Sequence, residues 1–261
     1  MDEMQAVILA GGFATRMRPR TMTVPKFLLP VGGRPFGAWL LERLAGSGYS
    51  RVLICIAHLG DQIRTAIGDG RAFGLEVAYS DEGDQLLGTA GAIRRASAEL
   101  APQFLVTYGD SYLPFDYGAP LHMLEERADA DGVMAVFKNE GRWDRSNSSV
   151  RVDERGELWV DRYEKGTHDP KLDHIDYGAT ALRRDVILGI PEATPWGLDQ
   201  VQAELAARGR LRAYLAHARF FEIGSEAGLL ELDRELSARP PNAPITGGPK
   251  AAPSNTTKAK T

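Results

Sequence analysis

The residues with the clearest chemical potential lie in one short stretch near the N-terminus. An apolar run ends at Gly11 and Gly12, and the cations Arg16, Arg18 and Lys26 follow soon after. Glycines placed just beyond a strand let backbone N–H groups approach an anion closely. Arginine and lysine side chains add positive charge and hydrogen-bond donors around the same turn. The stretch therefore predicts a polyphosphate-binding loop.

Two familiar phosphate-binding patterns do not fit this turn. The segment from Gly11 to Arg16 lacks the spaced glycines of the dinucleotide fingerprint Gly-x-Gly-x-x-Gly. The nucleoside-triphosphatase pattern Gly-x4-Gly-Lys-Ser/Thr is absent as well. What remains is Gly-Gly-x-Ala-Thr-Arg-x-Arg-Pro with a Pro-Lys step downstream, directly after the first predicted strand.

Alternating segments of two kinds are expected to position this loop. Continuous apolar runs, typical of strands buried on both faces, cover Gln5–Ala10, Arg51–Ala57, Leu75–Tyr79, Phe104–Tyr108 and Gly132–Phe137. Segments with helical spacing lie between them, at Phe36–Ser47, Asp61–Gly68, Thr89–Leu100 and Pro120–Arg127. Later elements are strands at Val150–Val152, Leu158–Tyr163 and Tyr177–Leu182, a hairpin turn at Asp153–Gly156, and helices at Leu198–Ala207 and Glu226–Leu236. The alternation predicts an α/β fold in which helices cover both faces of a mostly parallel mixed sheet.

Composition limits the remaining possibilities. The chain has 261 residues and a net charge of −4, and no basic surface for nucleic acid is indicated. No apolar run reaches the ~20 residues of a membrane helix, and no signal peptide is recognised. The single cysteine, Cys55, lies in an apolar run and is expected to be inert in the core. We expect a cytoplasmic protein with a domain over residues 1–240 and a disordered tail over 241–261, where proline, glycine and small polar residues dominate.

At this point the sequence resembles the sugar-1-phosphate nucleotidyltransferases, and most of all the D-glycero-α-D-manno-heptose 1-phosphate guanylyltransferases. The resemblance runs in the family's order from the glycine-rich turn to the end of the predicted domain. Its motifs are Leu9–Lys26, Lys26–Pro35, Leu87–Ala92, Tyr108–Asp110, Glu164-Lys165 and Phe221–Gly224. It implies a Rossmann-like three-layer αβα fold of the nucleotide-diphospho-sugar transferase type.

The resemblance also implies a reaction in which a sugar 1-phosphate oxygen attacks the α-phosphorus of a nucleoside triphosphate and pyrophosphate leaves. The protein aligns two anions and stabilises charge, and it forms no covalent bond. By resemblance, Arg16 grips the β- and γ-phosphates, and Lys26 bridges the phosphates of both substrates. The backbone around the turn binds the nucleotide through Leu9, Ala10, Gly11, Gly12 and Thr15.

The metal expected from the resemblance is Mg²⁺, which commonly takes one or two protein carboxylates and completes its shell with phosphate and water oxygens. Asp110 follows a predicted strand, so its carboxylate is expected to point into the ligand crevice. The second ligand is expected to be Glu222, where most relatives have aspartate.

The substrate ends of the site are also expected from the resemblance. Gly88 and Thr89 open the base-recognition segment, and Glu82 or Gln85 is placed to bond the base edge. A carboxylate suits the N1–H and N2–H donors of guanine, whereas an amide suits uracil or thymine. The sugar phosphate is expected at Tyr108, Gly109, Glu164, Lys165, Asp176 and Gly178. The polar segment Arg142–Asn147 is expected either to form a sugar wall through Trp143 or to be a surface loop.

The expected function is therefore transfer of a nucleotidyl group, with GTP favoured, to a heptose or hexose 1-phosphate. A UTP- or dTTP-dependent enzyme, including an N-acetylmuramate 1-phosphate uridylyltransferase, is an open alternative. A type-A glycosyltransferase should show Asp-x-Asp, but the equivalent segment is Asp110-Ser111-Tyr112. A non-catalytic sugar-nucleotide sensor is the remaining alternative, and a homodimer is possible.

Overall fold

The structure is a computed structural model that describes residues 3–139 and 142–238. The predicted tail over 241–261 lies outside the described residues. Within the described ranges, no helix is long and apolar enough to cross a membrane.

The first half of the chain alternates strands with helices. Its strands are β1 (Gln5–Leu9), β2 (Pro30–Val31), β3 (Arg34–Pro35), β4 (Arg51–Ile56), β5 (Glu76–Asp81), β6 (Gln103–Tyr108) and β7 (Ser111–Tyr112). Its helices are α1 (Phe36–Gly46), α2 (Gly60–Ile67), α3 (Gly88–Arg95) and α4 (Gly118–Glu125). The turn after β1 contains only short 3-10 segments.

The second half is richer in antiparallel strands. Its strands are β8 (Gly132–Lys138), β9 (Ser148–Val152), β10 (Leu158–Tyr163), β11 (His174–Arg183), β12 (Leu211–Ala216) and β13 (Phe221–Glu222). Its helices are α5 (Arg184–Leu188), α6 (Leu198–Ala207) and α7 (Glu226–Ser237).

One nine-stranded sheet joins the two halves in the order β5-β4-β1-β6-β11-β8-β12-β10-β9. The strands β5, β4, β1 and β6 are parallel, and so are β8 and β12. The long strand β11 runs antiparallel between β6 and β8. Its N-terminal end therefore reaches the same edge of the sheet as the carboxyl ends of its two neighbours.

Alternate residues of the central strands feed two separate hydrophobic cores. On β1, Ala6 and Ile8 join the core under α1, α2, α4 and α7, whereas Val7 joins the core under α3, α5 and α6. The same alternation places Ile54 in the first core and Leu53 in the second. Burial on both faces explains why these strands read as continuous apolar runs, and it confirms the three-layer α/β prediction.

The predicted elements are confirmed with shifted ends, and six elements were not predicted. The helix expected over Thr89–Leu100 ends at Arg95 and gives way to a 3-10 segment. The strand expected over Tyr177–Leu182 begins earlier, at His174. The predicted Asp153–Gly156 turn joins β9 to β10 as an antiparallel hairpin. The elements that were not predicted are the strand β12, the two-residue strands β2, β3, β7 and β13, and the helix α5.

Candidate active site

A cavity of about 250 Å³ opens at the carboxyl ends of β1 and β6. The chain connections that follow β1 and β6 run toward opposite edges of the sheet. In α/β sheets, ligands commonly bind at such a point. The Gly109 N–H donates to Leu9 O at 2.9 Å and holds the two strand ends together. The lining residues are Leu9, Ala10, Gly11, Gly12, Lys26, Phe27, Cys55, Glu82, Leu86, Gly88, Thr89, Ala92, Tyr108, Gly109 and Asp110.

The glycine-rich turn forms one rim of this cavity. Gly11 and Gly12 line it, and the turn then continues through Ala14, whose φ of 46° is left-handed. The Thr21 hydroxyl donates to Ala14 O at 2.8 Å and fixes the turn. Thr15 is exposed and begins the short 3-10 segment that carries Arg16.

Two predicted phosphate-binding cations converge at the mouth of the cavity. A Cβ atom built on Gly224 would lie 3.3 Å from Arg16 Nη2 and 4.0 Å from Lys26 Nζ. Lys26 Nζ also forms an ion pair with Asp110 Oδ2 at 2.7 Å. The structure thus brings Arg16, Lys26 and Asp110 together although they are far apart in the sequence.

A two-stranded ladder brings the two predicted metal ligands together. In the antiparallel β7–β13 pair, Glu222 lies opposite Ser111, and the Ile223 N–H donates to Asp110 O at 3.0 Å. Partial desolvation, and then repulsion from Asp110 and Asp144, raises the pKa of Glu222. The attraction of Arg16 and Lys26 opposes this shift.

The donor set at this ladder fits a divalent cation. Two carboxylates that repel one another are stabilised when a cation binds between them. Among residues 3–139 and 142–238, no group of three His, Cys, Asp or Glu side chains could hold a metal. A bound Mg²⁺ would therefore draw on Asp110 and Glu222 and complete its shell with substrate phosphate and water oxygens, as this ion commonly does.

The base-recognition segment places a carboxylate in the cavity wall. Glu82 is only 7% exposed, and its Oε1 accepts the Leu87 N–H at 2.9 Å. Its Oε2 lies 3.2 Å from where a Cβ on Gly11 would be. Burial raises the pKa of Glu82, although the Leu87 N–H partly offsets this effect. The alternative candidate Gln85 is exposed and is not among the cavity-lining residues.

Gly88 and Thr89 anchor the start of α3 against the segment before α6. Gly88 has a φ of +71°, and a Cβ there would lie 2.7 Å from Trp196 O. The Thr89 hydroxyl accepts the Leu198 N–H at 2.7 Å. Both residues line the cavity, and glycine is required at position 88 by conformation and by space.

The predicted sugar-binding residues flank the cavity near Tyr108. A Cβ on Gly178 would lie 3.6 Å from Tyr108 Cδ2, so the start of β11 borders the cavity wall. Asp176 Oδ1 accepts the Gly178 N–H at 3.0 Å, and Oδ2 accepts from Gln202 Nε2 at 3.0 Å. Burial is the main cause of the raised pKa of Asp176.

Glu164 and Lys165 follow β10 at the solvent-facing side of this region. Both are exposed, and Glu164 forms an ion pair with Arg162. The Glu164 N–H donates to Asn147 O at 2.7 Å, and Asn147 Oδ1 accepts the Asp176 N–H at 2.8 Å. Asn147 thus connects the two predicted sugar-binding segments, although the cavity lining includes neither Glu164 nor Lys165.

Sequence reasoning left Asp144 out of the site. The buried Asn139 organises its loop by donating to Asp144 O and by accepting the Trp143 N–H at 3.2 Å. Trp143 stacks against the Arg219 guanidinium at 3.9 Å and is 48% exposed. In the sequence, only Asn139 and the polar segment after it indicate that Asp144 belongs to the site. The proximity of Asp144 to Glu222 depends on strands that are distant in the sequence.

Comparison with known proteins shows what the chain is similar to. Over 117 residues the chain is 47% identical to the N-acetylmuramate alpha-1-phosphate uridylyltransferase of Neisseria meningitidis, covering 44% of this chain and 51% of that protein. It is 32% identical over 215 residues to the mannose-1-phosphate guanylyltransferase of Mycobacterium tuberculosis, covering 81% and 58%. The chain therefore spans about half the length of these curated relatives.

A solved structure shares the fold. The crystal structure of HddC from Yersinia pseudotuberculosis superposes with a TM-score of 0.70 at 24% identity, covering 89% of this chain and 99% of that one. The sequence profile of the family described as "Nucleotidyl transferase" matches residues 5–170. Because that match covers more than half of the sequence and includes Arg16, Lys26 and Asp110, the chain belongs to the nucleotidyl transferase family.

Proposed function

We propose that this protein transfers a nucleotidyl group from a nucleoside triphosphate to a sugar 1-phosphate, with release of pyrophosphate and dependence on Mg²⁺. The observation that carries the proposal is the convergence of Arg16, Lys26, Asp110 and Glu222 at the mouth of a glycine-rimmed cavity. Such a set holds phosphates with cations and leaves carboxylates for a metal, as in-line phosphoryl chemistry needs.

Each residue has a role that follows from its chemistry. The N–H groups of the Gly11–Gly12 turn bind the triphosphate, and the Arg16 fork holds the departing pyrophosphate bidentately. Lys26 provides a compact charge between the two reacting phosphates. Mg²⁺, held by Asp110 and Glu222, would supply charge neutralisation at the phosphate oxygens.

We favour GTP as the nucleotide because of Glu82. Guanine presents two adjacent donors, N1–H and N2–H, which a carboxylate accepts well. Uracil and thymine present one N–H between two carbonyl oxygens, which a carboxylate repels. The Mycobacterium tuberculosis relative is a guanylyltransferase, which supports this choice, whereas the Neisseria meningitidis relative is a uridylyltransferase. UTP is therefore the second candidate.

The acceptor that we propose is a hexose or heptose 1-phosphate. The mannose-1-phosphate guanylyltransferase relative supports a hexose, and the motif resemblance to heptose 1-phosphate guanylyltransferases supports a heptose. The placement of Arg16 beside Lys26 argues against a glycosyltransferase, whose reaction releases no pyrophosphate and needs no arginine on a β,γ-phosphate pair. A homodimer and a cytoplasmic location stay predictions.

The test is a matrix of four nucleoside triphosphates against mannose, glucose, N-acetylmuramate and heptose 1-phosphates with Mg²⁺. We expect pyrophosphate release with at least one pair, and the fastest release with GTP. Omitting Mg²⁺ should abolish it. Binding of nucleotide without turnover for any pair would refute the transferase and favour a sugar-nucleotide sensor.

A further inference from the structure

The residues Phe221–Gly224, here named the wall segment, lie beside the phosphate end of the candidate active site. The Ile223 N–H donates to Asp110 O at 3.0 Å. A Cβ atom built on Gly224 would lie 3.3 Å from Arg16 Nη2. The wall segment thus contacts one residue of each kind that the proposed function needs, a carboxylate and a cation.

The ladder that carries the wall segment is very short. Its strand β13 has two residues and pairs only with the two residues of β7. So small a pair of strands is marginally stable by itself. Helix α7 adds support, because a Cβ atom built on Gly228 would overlap Glu222 O. The wall segment is therefore held in part by a helix that packs directly on its backbone.

Arg219 connects the wall segment to α7 through side chains. Its guanidinium lies 5.2 Å from the centre of the Phe221 ring and 3.9 Å from that of the Trp143 ring. Both of its terminal nitrogens bond the Glu231 carboxylate of α7, one of them at 2.8 Å. A bidentate pair of this kind fixes both the place and the orientation of a guanidinium. Glu231 therefore orients the group that covers Phe221.

Phe221 links this contact to the strand that carries the proposed metal ligand. It lies opposite Tyr112 in the ladder, and the two rings meet edge to face with their centres 6.4 Å apart. Tyr112 is 1% exposed and belongs to the hydrophobic core, so Phe221 is held between the core and Arg219. Side chains alternate along a strand, so Glu222 extends from the other face. Fixing Phe221 therefore fixes the backbone from which Glu222 extends.

We propose that Arg219 and Glu231 form a positioning pair that holds the wall segment in place and so sets the affinity of the site for Mg²⁺. This inference rests on the proposed function, in which Asp110 and Glu222 hold the metal. The charges of the pair neutralise one another, and the pair acts through the position of Phe221. Replacing residues that orient metal ligands commonly lowers metal affinity by about 10–100-fold.

The first experiment measures metal binding in the Glu231→Ala variant. Alanine is a strong helix former, so α7 is preserved while Arg219 loses its partner. Mn²⁺ prefers the same oxygen ligands as Mg²⁺, and electron paramagnetic resonance measures its binding without any substrate. We expect the Mn²⁺ dissociation constant to rise about tenfold. An unchanged constant in the folded variant would overturn the inference.

The matched control removes a similar pair elsewhere on the surface. Arg151 also pairs with an exposed carboxylate, Asp161 at 3.7 Å, and its guanidinium lies 5.7 Å from the centre of the Trp159 ring. This pair belongs to β9 and β10 at one edge of the main sheet. Asp161→Ala should therefore leave Mn²⁺ binding unchanged, and an equal loss in this control would refute a specific role for Glu231.

Arg219→Lys tests whether orientation matters beyond charge. Lysine keeps the positive charge but cannot make the bidentate contact. The Mg²⁺ concentration that half-saturates pyrophosphate release should rise about tenfold, as for Glu231→Ala. The ratio of kcat/KM for GTP to that for UTP should stay within twofold of the wild type, because Glu82 is unaffected. Loss of nucleotide preference together with Mg²⁺ affinity would indicate general damage and would overturn the positioning role.

Hydrogen exchange provides a measurement that needs neither metal nor substrate. The Ile223 amide should exchange faster in Glu231→Ala than in the wild type or in Asp161→Ala, and equal rates would overturn the inference. Asp110→Asn separates this inference from the proposed function. Mn²⁺ binding that survives Asp110→Asn would refute the metal assignment, and the inference with it. Wild-type Mn²⁺ affinity in Glu231→Ala would refute the positioning pair alone.

Discussion

The ion pair between Lys26 and Asp110 allows stability and catalysis to be separated by a double-mutant cycle. The two atoms are 2.7 Å apart, and the side chains are 16% and 30% exposed. Lys26→Met leaves Asp110 and Glu222 facing one another without this cation. Asp110→Asn removes one of the two facing carboxylates, and the double variant removes both partners of the pair.

The unfolding free energy that Lys26→Met should lose depends on how deeply the Lys26–Asp110 pair is buried. Exposed ion pairs contribute about 0.2–1 kcal/mol, whereas breaking a fully buried pair costs about 3–5 kcal/mol. A pair that is partly exposed should lie between these values, so we expect Lys26→Met to cost about 1–2 kcal/mol of unfolding free energy. In a chain of this size, that cost corresponds to a melting temperature lower by about 3–6 °C.

Stability and activity should respond differently across the cycle. Adding Asp110→Asn to Lys26→Met should restore most of the lost stability, because no unpaired aspartate remains. The double variant should still lose at least about 100-fold in kcat, because charge at the phosphates is no longer stabilised. Urea unfolding and pyrophosphate release measure the two quantities on the same samples.

The control uses an ion pair outside the candidate active site. Arg210 pairs with Asp131 at 2.8 Å with side-chain exposures of 36% and 30%. Arg210→Met should lower stability by a similar or smaller amount and leave kcat unchanged. The reasoning would be refuted if the double variant regained activity, or if it stayed as unstable as Lys26→Met.

Three further predictions concern the cavity. Glu82→Gln should lower the ratio of kcat/KM for GTP to kcat/KM for UTP about tenfold. Burial raises the pKa of Glu82 above its ordinary 4.5. As the pH rises from 4.5 through this raised pKa, the unfolding free energy of the wild type should therefore fall relative to that of Glu82→Gln. Ala14, with a φ of 46°, should tolerate glycine with activity retained, whereas Ala14→Val should cost about 2 kcal/mol or more in urea unfolding because a β-branched residue is strained there. Cys55 is buried, and burial raises the pKa of its thiol to about 12. The thiol should therefore not react with Ellman's reagent at pH 8 until the protein is unfolded. Rapid reaction of the native protein would contradict this burial.

Continuous burial made the parallel half of the sheet predictable. Strands such as Arg51–Ile56 are covered on both faces, so their apolar runs stand out against the helices between them. The strand Leu211–Ala216 did not stand out, because Arg212 and Tyr214 interrupt its apolar pattern. Arg212 is only 2% exposed, and it is compensated by Glu157 from a distant part of the chain.

Within the candidate site, too, some residues carry a local sequence signal and others do not. The glycine-rich turn and Asp110 carry local signals, because each directly follows an apolar strand, and the structure places both in the lining of one cavity. Gln202 and Asp144 carry no such signal. Their relation to Asp176 and Glu222 arises when β11 inserts antiparallel between β6 and β8, and sequence periodicity does not encode strand order.

The short ladder between β7 and β13 forms backbone pairs separately from the nine-stranded sheet, while Tyr112 and Ile223 pack in the same core as β1. It joins residues 111–112 to residues 221–222, and α7 is held beyond it by the bond from the Gly32 N–H to Asp233 Oδ1 at 2.8 Å. A ladder of two residue pairs has fewer backbone hydrogen bonds to break in a local opening than the nine-stranded sheet has. In hydrogen exchange, the Ile223 amide should lose protection well before the amides of β1, and Mg²⁺ with nucleotide should slow that exchange. The proposed metal-binding pair, Asp110 and Glu222, would then separate by local opening at temperatures where the fold is unchanged.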